Sequence, residues 1–432
     1  MTKVMWRIVP LILLAYLMAY MDRVNISFAS LQMNDDLRFS ASIYGLGAGL
    51  FFLAYAIFEV PSSLMLRRYS APQWIARIMI TWGLLAAGMM FVQTPMQFYV
   101  VRFLLGAAEA GFFPSVIYYF SGWFPTAWRG RAVSRIYIAG SLASVVMGGL
   151  SASLLELDGR AGLKGWQWLF LVQGLPAALT GLLLLRALPS RPQAARWLTI
   201  PEKTWITREL AQDAALIGAP VGHNVWGTVT NPMVLLFGAI GIVLNLFGAC
   251  LTLFAPAVLS ARAGLDTHTL GNLVTGGGML GVIGVLFVGW YSDRHGDRLR
   301  DAFVCTVICM TGLVLIAVAP TPILVTVGYL LFAATWFSSG VLIVSSWADA
   351  LHPRQLAVGG AAINTLWQIG SFLSPYGFGL AKDATGGFTM GLICSAAVAG
   401  AQVLLILYVR TRVASERQAR EHAAAKALTL TT

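Results

Sequence analysis

Residues 8–30 read IVPLILLAYLMAYMDRVNISFAS, an apolar run interrupted by two charged side chains, Asp22 and Arg23. A helix of about 20 residues crosses the ~30 Å hydrocarbon core of a bilayer, so this run is long enough to span it. Similar runs recur along the 432 residues, of which 58% are hydrophobic and 11% charged. Soluble domains carry roughly 25% charged residues. With a mean hydropathy of +0.74, the composition predicts an integral membrane protein built of transmembrane helices.

Twelve such runs fall into two sets of six, separated by a polar stretch. The chain is therefore predicted to be an all-α membrane protein with two pseudo-symmetric six-helix bundles around a central site. The predicted parts are an N-terminal bundle (1–188), a cytoplasmic linker (189–230), a C-terminal bundle (231–410) and a cytoplasmic tail (411–432). The predicted helices lie near 8–30, 43–66, 74–92, 96–120, 131–156, 166–188, 231–260, 268–290, 301–319, 321–349, 355–381 and 386–409.

Basic residues predict the topology of these helices. When the N-terminus is placed in the cytoplasm, most of the 29 Lys and Arg residues fall in cytoplasmic segments, and few fall in outer loops. The positive-inside rule then predicts that both termini and the linker are cytoplasmic. The same bias accounts for the net charge of +11 without a nucleic-acid partner. The basic residues assigned to outer loops are Arg38, Arg160, Lys164, Arg262 and Lys382.

Several classes of protein are disfavoured by what the sequence lacks. The four cysteines lie in apolar runs and the five histidines are scattered, so neither disulfide nor zinc spacing is present. The sequence contains no HExxH, GxSxG or Walker motif, and we therefore expect neither an enzyme nor a metal or organic cofactor. The linker and tail are too short for the soluble domain that a sensor would carry.

Ionisable residues inside the predicted helices are the most informative positions. Each charged group costs at least ~2.5–3.5 kcal/mol at a helix centre, so such residues are usually paired or functional. At 1.5 Å per residue, all of them fall between the membrane midplane and its outer third. A static reading, in which salt bridges lock the first helix to the fourth, stays open. The set consists of Asp22, Arg23, Arg102 and Glu109.

Chemistry assigns different roles to the two kinds of charge. A guanidinium can hold a carboxylate through two parallel hydrogen bonds, which makes Arg23 and Arg102 candidates for anion binding. A carboxylic acid in a low-dielectric site can take up a proton near neutral pH, which makes Asp22 and Glu109 candidate proton carriers. Tyr20 lies half a turn before Asp22 and could hydrogen-bond a substrate or serve only in packing.

The loop after the eighth helix carries a recognisable motif. Residues 289–300 read GWYSDRHGDRLR, which resembles the Gly-x-x-x-Asp-Arg-x-Gly-x-Arg signature of the major facilitator superfamily. The equivalent loop of the first half, residues 63–70, reads SLMLRRYS and has Arg67 in place of the aspartate. We interpret Asp293 and Arg294 as a cytoplasmic gate whose charges close one conformation and release in the other. The resemblance implies the major facilitator fold.

Four further stretches narrow the resemblance to the anion:cation symporter family of that superfamily. They are YMDRVN (20–25), RFLLGAAEAGFFP (102–114), GWQWLFLVQGLP (165–176) and KDATG (382–386). Together they cover nearly the whole chain. Members of that family import small organic anions, such as sugar acids, tartrate-like hydroxy acids and aromatic acids. The resemblance therefore implies a small carboxylate as substrate.

The resemblance also implies roles for individual residues. It makes Arg23 the stronger candidate for contact with substrate, and it makes Arg102 and Glu109 a coupled pair. Asn245 and Asn364 match polar positions that line the cavity of such transporters. A buried amide that only joins helices is an equally good reading of each asparagine.

We therefore expect a secondary active transporter that imports a small organic anion with protons by alternating access. Its partners are this substrate and the lipid bilayer, protons are the coupling ion, and we expect a monomer in a bacterial inner membrane. The alternative is a proton-driven exporter or antiporter of drugs or other small metabolites. A cation exporter would favour an acidic pocket without paired arginines.

Overall fold

The computed structural model describes residues 1–217, 225–351 and 356–429. This described part folds into fifteen α-helices joined by turns and short 3-10 segments. The helices are α1 Thr2–Asp36, α2 Ala41–Leu64, α3 Ala71–Gly88, α4 Pro95–Glu109, α5 Phe112–Ser121, α6 Thr126–Leu155, α7 Gly165–Ala187, α8 Ile200–Ile217, α9 Val225–Val229, α10 Pro232–Ala263, α11 Thr267–His295, α12 Arg298–Val318, α13 Pro322–Ala350, α14 Leu356–Thr385 and α15 Thr389–Thr429.

Within the described residues, eleven segments are long and apolar enough to cross a membrane. One of them, Pro95–Ser121, combines α4 and α5. The prediction of a polytopic all-helical protein is confirmed by these segments. The helix α14 has 30 residues but is not among the eleven, so the prediction of twelve spans stays a prediction. Residues 218–224 of the predicted linker and 430–432 of the predicted tail lie outside the described residues.

The fourth membrane segment is broken immediately after Glu109. The helix α4 ends there and α5 begins at Phe112. Between them Gly111 has φ of +83°, a left-handed conformation that glycine adopts without steric cost. A Cβ at Gly111 would also overlap the hydroxyl of Ser62 on α2. The sequence pattern predicted one continuous helix over 96–120, so the break is a correction to that prediction.

Small residues bring several helix pairs into backbone contact. A Cβ at Gly83 of α3 would overlap the backbone nitrogen of Ala178, and a Cβ at Gly174 of α7 would overlap that of Ala87. Such close approach is typical of helix packing in membranes, where small residues increase van der Waals contact. The helices α12 and α13 meet through glycines in the same way.

Contacts divide the chain into two compact units, whose boundaries fall inside α10, α11 and α14. Unit 1 comprises Met1–His223, Cys250–Met279 and Ser371–Phe388, and unit 2 comprises Asn224–Ala249, Leu280–Gly370 and Thr389–Thr432.

The first part of the predicted linker folds onto the helices of unit 1. Leu198 and Ile206 are buried in the same hydrophobic cluster as Trp123. The indole of Trp123 stacks on that of Trp197, with ring centroids 5.8 Å apart. This segment was predicted only as a polar connection, and its apolar side chains explain why it packs instead of extending into water.

Charged contacts hold α8 near both of its ends. Lys3 Nζ lies 3.2 Å from a carboxylate oxygen of Glu202. Asp213 accepts a 2.6 Å hydrogen bond from the backbone N–H of Thr126, at the start of α6. The backbone N–H of Thr199 lowers the pKa of Glu202, and the backbone N–H of Thr126 lowers the pKa of Asp213. In its charged form Asp213 therefore favours the docked position of α8, and Glu202 favours the start of α8 through Thr199 and its docking through Lys3.

Candidate functional site

The four ionisable residues predicted as the site lie together in unit 1, on α1 and α4. Asp22, Arg102 and Glu109 are each at most 2% exposed. The side chain of Arg23 is 27% exposed. Arg23 is therefore the charged member of the set that a solute can reach.

Arg23 and Glu109 form a direct ion pair. The Nη2 group of Arg23 donates to Oε1 of Glu109 at 2.6 Å, a charge-assisted hydrogen bond. Oε2 of Glu109 and Nε of Arg23 are buried without a hydrogen-bond partner. The pair thus uses one atom of each group, and the guanidinium keeps donors for a second carboxylate.

Arg102 is held against α2. Its Nε donates to the carbonyl oxygen of Gly47 at 3.4 Å, and its Nη2 donates to that of Ala48 at 3.5 Å. The guanidinium carbon lies 4.9 Å from the ring centroid of Phe51. Both hydrogen bonds are long, so they satisfy this buried cation only weakly.

The direct ion pair joins Glu109 to Arg23, and the functional coupling of Arg102 with Glu109 that the resemblance implies stays a prediction. Glu109 pairs with Arg23 of α1 and not with Arg102, which lies two turns, ~10 Å, away on its own helix. Asp22 of α1 is the remaining member of the set and is 2% exposed. Its Oδ2 atom is buried without a hydrogen-bond partner. The ion pair therefore joins α1 to α4, and the formal charges of the four groups sum to zero.

Aromatic rings surround the accessible arginine. The guanidinium carbon of Arg23 lies 5.2 Å from the ring centroid of Tyr20, 5.7 Å from Phe51 and 5.6 Å from Tyr55. Such cation–π contacts contribute about 0.5–2 kcal/mol each. The predicted residue Tyr20 thus contacts Arg23, and Phe51 and Tyr55 are additions that sequence reasoning missed.

A spacing of four residues on α2 could have revealed these additions. Phe51, Tyr55 and Glu59 follow one another at one-turn intervals, so they share a helix face. Glu59 is itself only 5% exposed and was not among the buried charges singled out from the sequence. A stripe of two aromatic residues and an acid on an otherwise apolar helix is the signal that was available.

The two predicted asparagines lie in unit 2. Asn245 on α10 donates from Nδ2 to the carbonyl oxygen of Trp367 at 3.2 Å. The indole of Trp367 in turn donates to the carbonyl oxygen of Phe237 at 3.0 Å. Asn364 on α14 is half-buried. These contacts join helices within unit 2, and contact of either asparagine with substrate stays a prediction.

The predicted gate residues also lie in unit 2, at the end of α11. Asp293 accepts a 3.4 Å hydrogen bond from Arg298. The guanidinium of Arg294 lies 4.1 Å from the ring centroid of Trp290. The two neighbours therefore contact different partners, and their role as a gate stays a prediction.

Among the residues that the structure describes, no three His, Cys, Asp or Glu side chains lie close enough to hold a metal ion. The side chains gathered around Arg23 include acids and tyrosines, which offer hydrogen-bonding groups.

Known proteins resemble this chain along most of its length. A relative from Agrobacterium vitis that is named as a tartrate transporter is 38% identical over 396 residues, covering 90% of this chain and 86% of the relative. The metabolite transport protein NicT of Pseudomonas putida is 44% identical over 298 residues, covering 69% of this chain and 68% of NicT. A relative from Acinetobacter baumannii, named as a quinolone resistance transporter, is 34% identical over 391 residues, covering 90% of each chain.

A solved structure shares the fold. The crystal structure of a bacterial homolog to the human lysosomal transporter Spinster, inward-facing and unoccupied, superposes with a TM-score of 0.77. It covers 96% of this chain and 98% of that chain at 13% sequence identity. At that identity the comparison supports the fold alone.

The family itself is shown by residues 12–375, which match the sequence pattern of the Major Facilitator Superfamily. The resemblance inferred from the sequence motifs is confirmed, and so is the expectation of a transporter and not an enzyme. This chain is a membrane transporter that belongs to the Major Facilitator Superfamily.

Proposed function

We propose that this transporter imports a small organic anion, a carboxylate, together with protons by alternating access. The observation that carries the proposal is the neutral set of two arginines and two acids, in which only Arg23 is accessible. The relatives named for tartrate and metabolite transport support a carboxylate substrate. The bias of basic residues toward the linker and the other predicted cytoplasmic segments supports cytoplasmic termini. We also propose twelve spans, a place in a bacterial inner membrane and a monomer.

Arg23 is proposed to bind the substrate carboxylate directly. Its pair with Glu109 uses one nitrogen, and its remaining donors match the two oxygens of a carboxylate. Tyr20 and Tyr55 lie beside the guanidinium and offer hydroxyl groups for other oxygens of a hydroxy acid. Asn245 and Asn364 are proposed to contribute from the second half of the chain.

Proton uptake by Glu109 is the proposed coupling step. A protonated Glu109 loses its charge and its strong attraction for Arg23, so the guanidinium becomes free for the substrate. Release of the proton restores the ion pair and displaces the substrate from Arg23. Asp22 is proposed to act in the same way on Arg102, which has only two long hydrogen bonds to hold it.

Charge balance suggests a stoichiometry. Because the four groups sum to zero, a monocarboxylate that enters alone would leave a net negative charge in a low-dielectric site, at a cost of several kcal/mol. One proton for each substrate carboxylate keeps the closed site neutral. With two acids available, the site can match a dicarboxylate as well as a monocarboxylate.

Ligand-induced stabilisation of the purified protein tests the binding role of Arg23. Carboxylates are added singly at acidic and alkaline pH, with the corresponding amides as neutral controls. A true substrate at 100 times its Kd raises the apparent stability by about 2.7 kcal/mol. Arg23→Ala is expected to abolish that rise. Arg77→Ala, which removes an arginine stacked 3.9 Å from the Trp74 ring on α3, is expected to keep it.

Two outcomes of that assay would count against the proposal. A full rise in Arg23→Ala would remove Arg23 from the binding site. Equal stabilisation by a carboxylate and its amide would show that the site does not select for the anion.

Proton-driven export is the second candidate, favoured by the relative named for quinolone resistance. An exporter moves its substrate against the proton flow. In vesicles of known orientation, uptake that follows the proton gradient supports symport, and movement opposite to it supports export.

A further inference from the structure

The motif Lys382-Asp383-Ala-Thr-Gly386 at the end of α14 is not used by the proposed site. Its aspartate contacts the first residues of α2. Oδ1 of Asp383 accepts from the backbone N–H of Ala41 at 3.0 Å, and Oδ2 accepts from the backbone N–H of Ser42 at 2.9 Å. One carboxylate thus binds two consecutive N–H groups that lie 342 and 341 positions earlier in the chain.

These N–H groups need partners from outside their helix. The first N–H groups of an α-helix have no acceptor within it, and the helix dipole makes this end favourable for an anion. Ser40 satisfies the N–H of Ile43 with its side-chain oxygen, at 3.2 Å. Asp383 satisfies the two N–H groups before it. The start of α2 is therefore capped jointly by its own serine and by the end of α14.

Glycines allow the two helices to touch along this contact. A Cβ at Gly379 of α14 would overlap the carbonyl oxygen of Ala41, and a Cβ at Gly45 of α2 would overlap that of Pro375. One turn further, a Cβ at Gly49 would overlap the carbonyl oxygen of Phe372. The contact is thus formed by backbones and depends on absent side chains, as in other small-residue helix contacts.

The same turns of α2 hold the site arginine. The carbonyl groups of Gly47 and Ala48, which accept from Arg102, lie between Gly45 and Gly49. One further hydrogen bond reinforces this region, since the hydroxyl of Tyr44 donates to the carbonyl oxygen of Leu253 on α10 at 2.9 Å. A movement of α2 away from α14 would therefore also displace the acceptors of Arg102.

A second contact in unit 1 has the same construction. A Cβ at Gly148 of α6 would come within 2.6 Å of the carbonyl oxygen of Gly271 on α11. The hydroxyl of Thr275 donates to the carbonyl oxygen of Val145 at 3.2 Å. The helices α2 and α6 of the first half are thus each in backbone contact with a helix of the second half.

We propose that Asp383 is a clamp that keeps the transporter closed at the end where α2 begins, which the basic residues predict to be the outer end. The inference rests on the proposed alternating access, because a closed end must open once in each cycle. Opening there requires that Asp383 release the N–H groups of Ala41 and Ser42 while the glycine contact separates. Asp383 and Arg102 both contact the backbone of α2, so the opening of this end and the position of Arg102 are linked.

Distances between spin labels test the clamp. Labels are placed at the exposed positions Asp35 and Ala384 after replacement of the native cysteines. Asp383→Ala removes both hydrogen bonds and is expected to raise the population with a longer distance by at least about threefold. Lys382→Ala, whose ammonium contacts the ring of Phe388 and not α2, is the matched control and is expected to leave the distances unchanged.

The clamp is overturned if Asp383→Ala gives the same distances as the unmodified protein, or if Lys382→Ala changes them equally. Should Asp383→Ala fail to fold, Asp383→Asn decides by the same criterion, because its amide keeps the shape but has one acceptor oxygen for two N–H groups. The measurement uses unliganded protein without a gradient. Its result is therefore independent of whether the substrate is a carboxylate or protons drive its transport.

Discussion

The two units differ in how they use buried polar groups. Unit 1 buries Asp22, Glu59, Arg102 and Glu109, all at or below 5% exposure. In the described part of unit 2 the buried polar residues are almost all hydroxyl or amide side chains, and the one buried charge, Asp301, pairs with its neighbour Arg300 at 3.0 Å. The proposed division of labour follows from this difference. In the proposal, unit 1 recognises charge and exchanges protons, and unit 2 contributes neutral hydrogen bonds.

The largest expected effect comes from the ion pair of unit 1. Arg23→Ala leaves Glu109 buried without its cation, which costs about 3–5 kcal/mol. We expect uptake to fall by at least roughly 100-fold and the unfolding midpoint to drop. Adding Glu109→Gln to Arg23→Ala should recover the midpoint, because the carboxylate that lost its cation is then replaced by a neutral amide. Uptake of radiolabelled substrate and thermal unfolding are measured for both variants.

The double variant separates two readings of the pair. If Arg23 binds substrate or Glu109 carries the proton, uptake stays lost after stability returns. Recovery of uptake together with stability would mean that the pair is only a static link between α1 and α4. The buried charges of this pair would then have no part in transport.

The break after Glu109 is the next strongest test of unit 1. Gly111→Ala forces a Cβ into a left-handed conformation and against Ser62, at an expected cost of about 2–4 kcal/mol. Gly149→Ala on α6 is the control, since its added Cβ meets no atom within 4 Å. Thermal unfolding should show a clear loss for the first variant and a neutral or slightly positive change for the second. Equal midpoints would show that a Cβ at Gly111 has no cost, and the left-handed break between α4 and α5 would then not be required.

Unit 2 should respond more weakly. Asn245→Ala removes one hydrogen bond to the carbonyl oxygen of Trp367, which contributes about 0.5–1.5 kcal/mol. We expect KM for uptake to rise by up to roughly tenfold. Asn231→Ala changes an amide that caps the start of the same helix and is expected to leave KM unchanged. A loss of uptake as large as that of Arg23→Ala would contradict the proposed division between the units.

The smallest effect concerns the docked helix α8. Hydrogen bonds lower the pKa of Glu202 and of Asp213 in the folded protein. Their contribution is therefore complete above the ordinary carboxylate range, about pH 4, and is lost as the pH falls through the lowered values. Hydrogen exchange of the α8 backbone should accelerate on acidification. Asp213→Asn should shift the pH at which this acceleration begins, and the control Glu209→Gln should leave that pH unchanged. Exchange that slows on acidification by more than the intrinsic pH dependence of amide exchange would contradict this prediction.

Much of unit 1 was predictable because charges in an apolar helix stand out. Asp22, Arg23, Arg102 and Glu109 were identified from their cost in lipid, and the rise per residue placed them at similar depth. Their partners were not predictable from that argument. The pair of Arg23 with Glu109 depends on how α1 and α4 are rotated about their axes, which helical periodicity does not determine between separate helices.

Local exceptions to periodicity were missed for a different reason. The break at Gly111 follows from one backbone dihedral angle and from the space beside Ser62, and neither changes the hydropathy of the surrounding run. The linker was predicted as a polar connection because its mean composition is polar. The few apolar side chains that dock it, such as Leu198 and Ile206, are hidden in that average.

Coupled flux in liposomes tests the central claim most directly. A candidate carboxylate and protons are followed together, with a radiolabel and an internal pH indicator, under an imposed gradient that is acidic outside. The account predicts accumulation above equilibrium that stops when the gradient is collapsed and is lost in Glu109→Gln. Accumulation that is unchanged after collapse, with no proton entry, would contradict it.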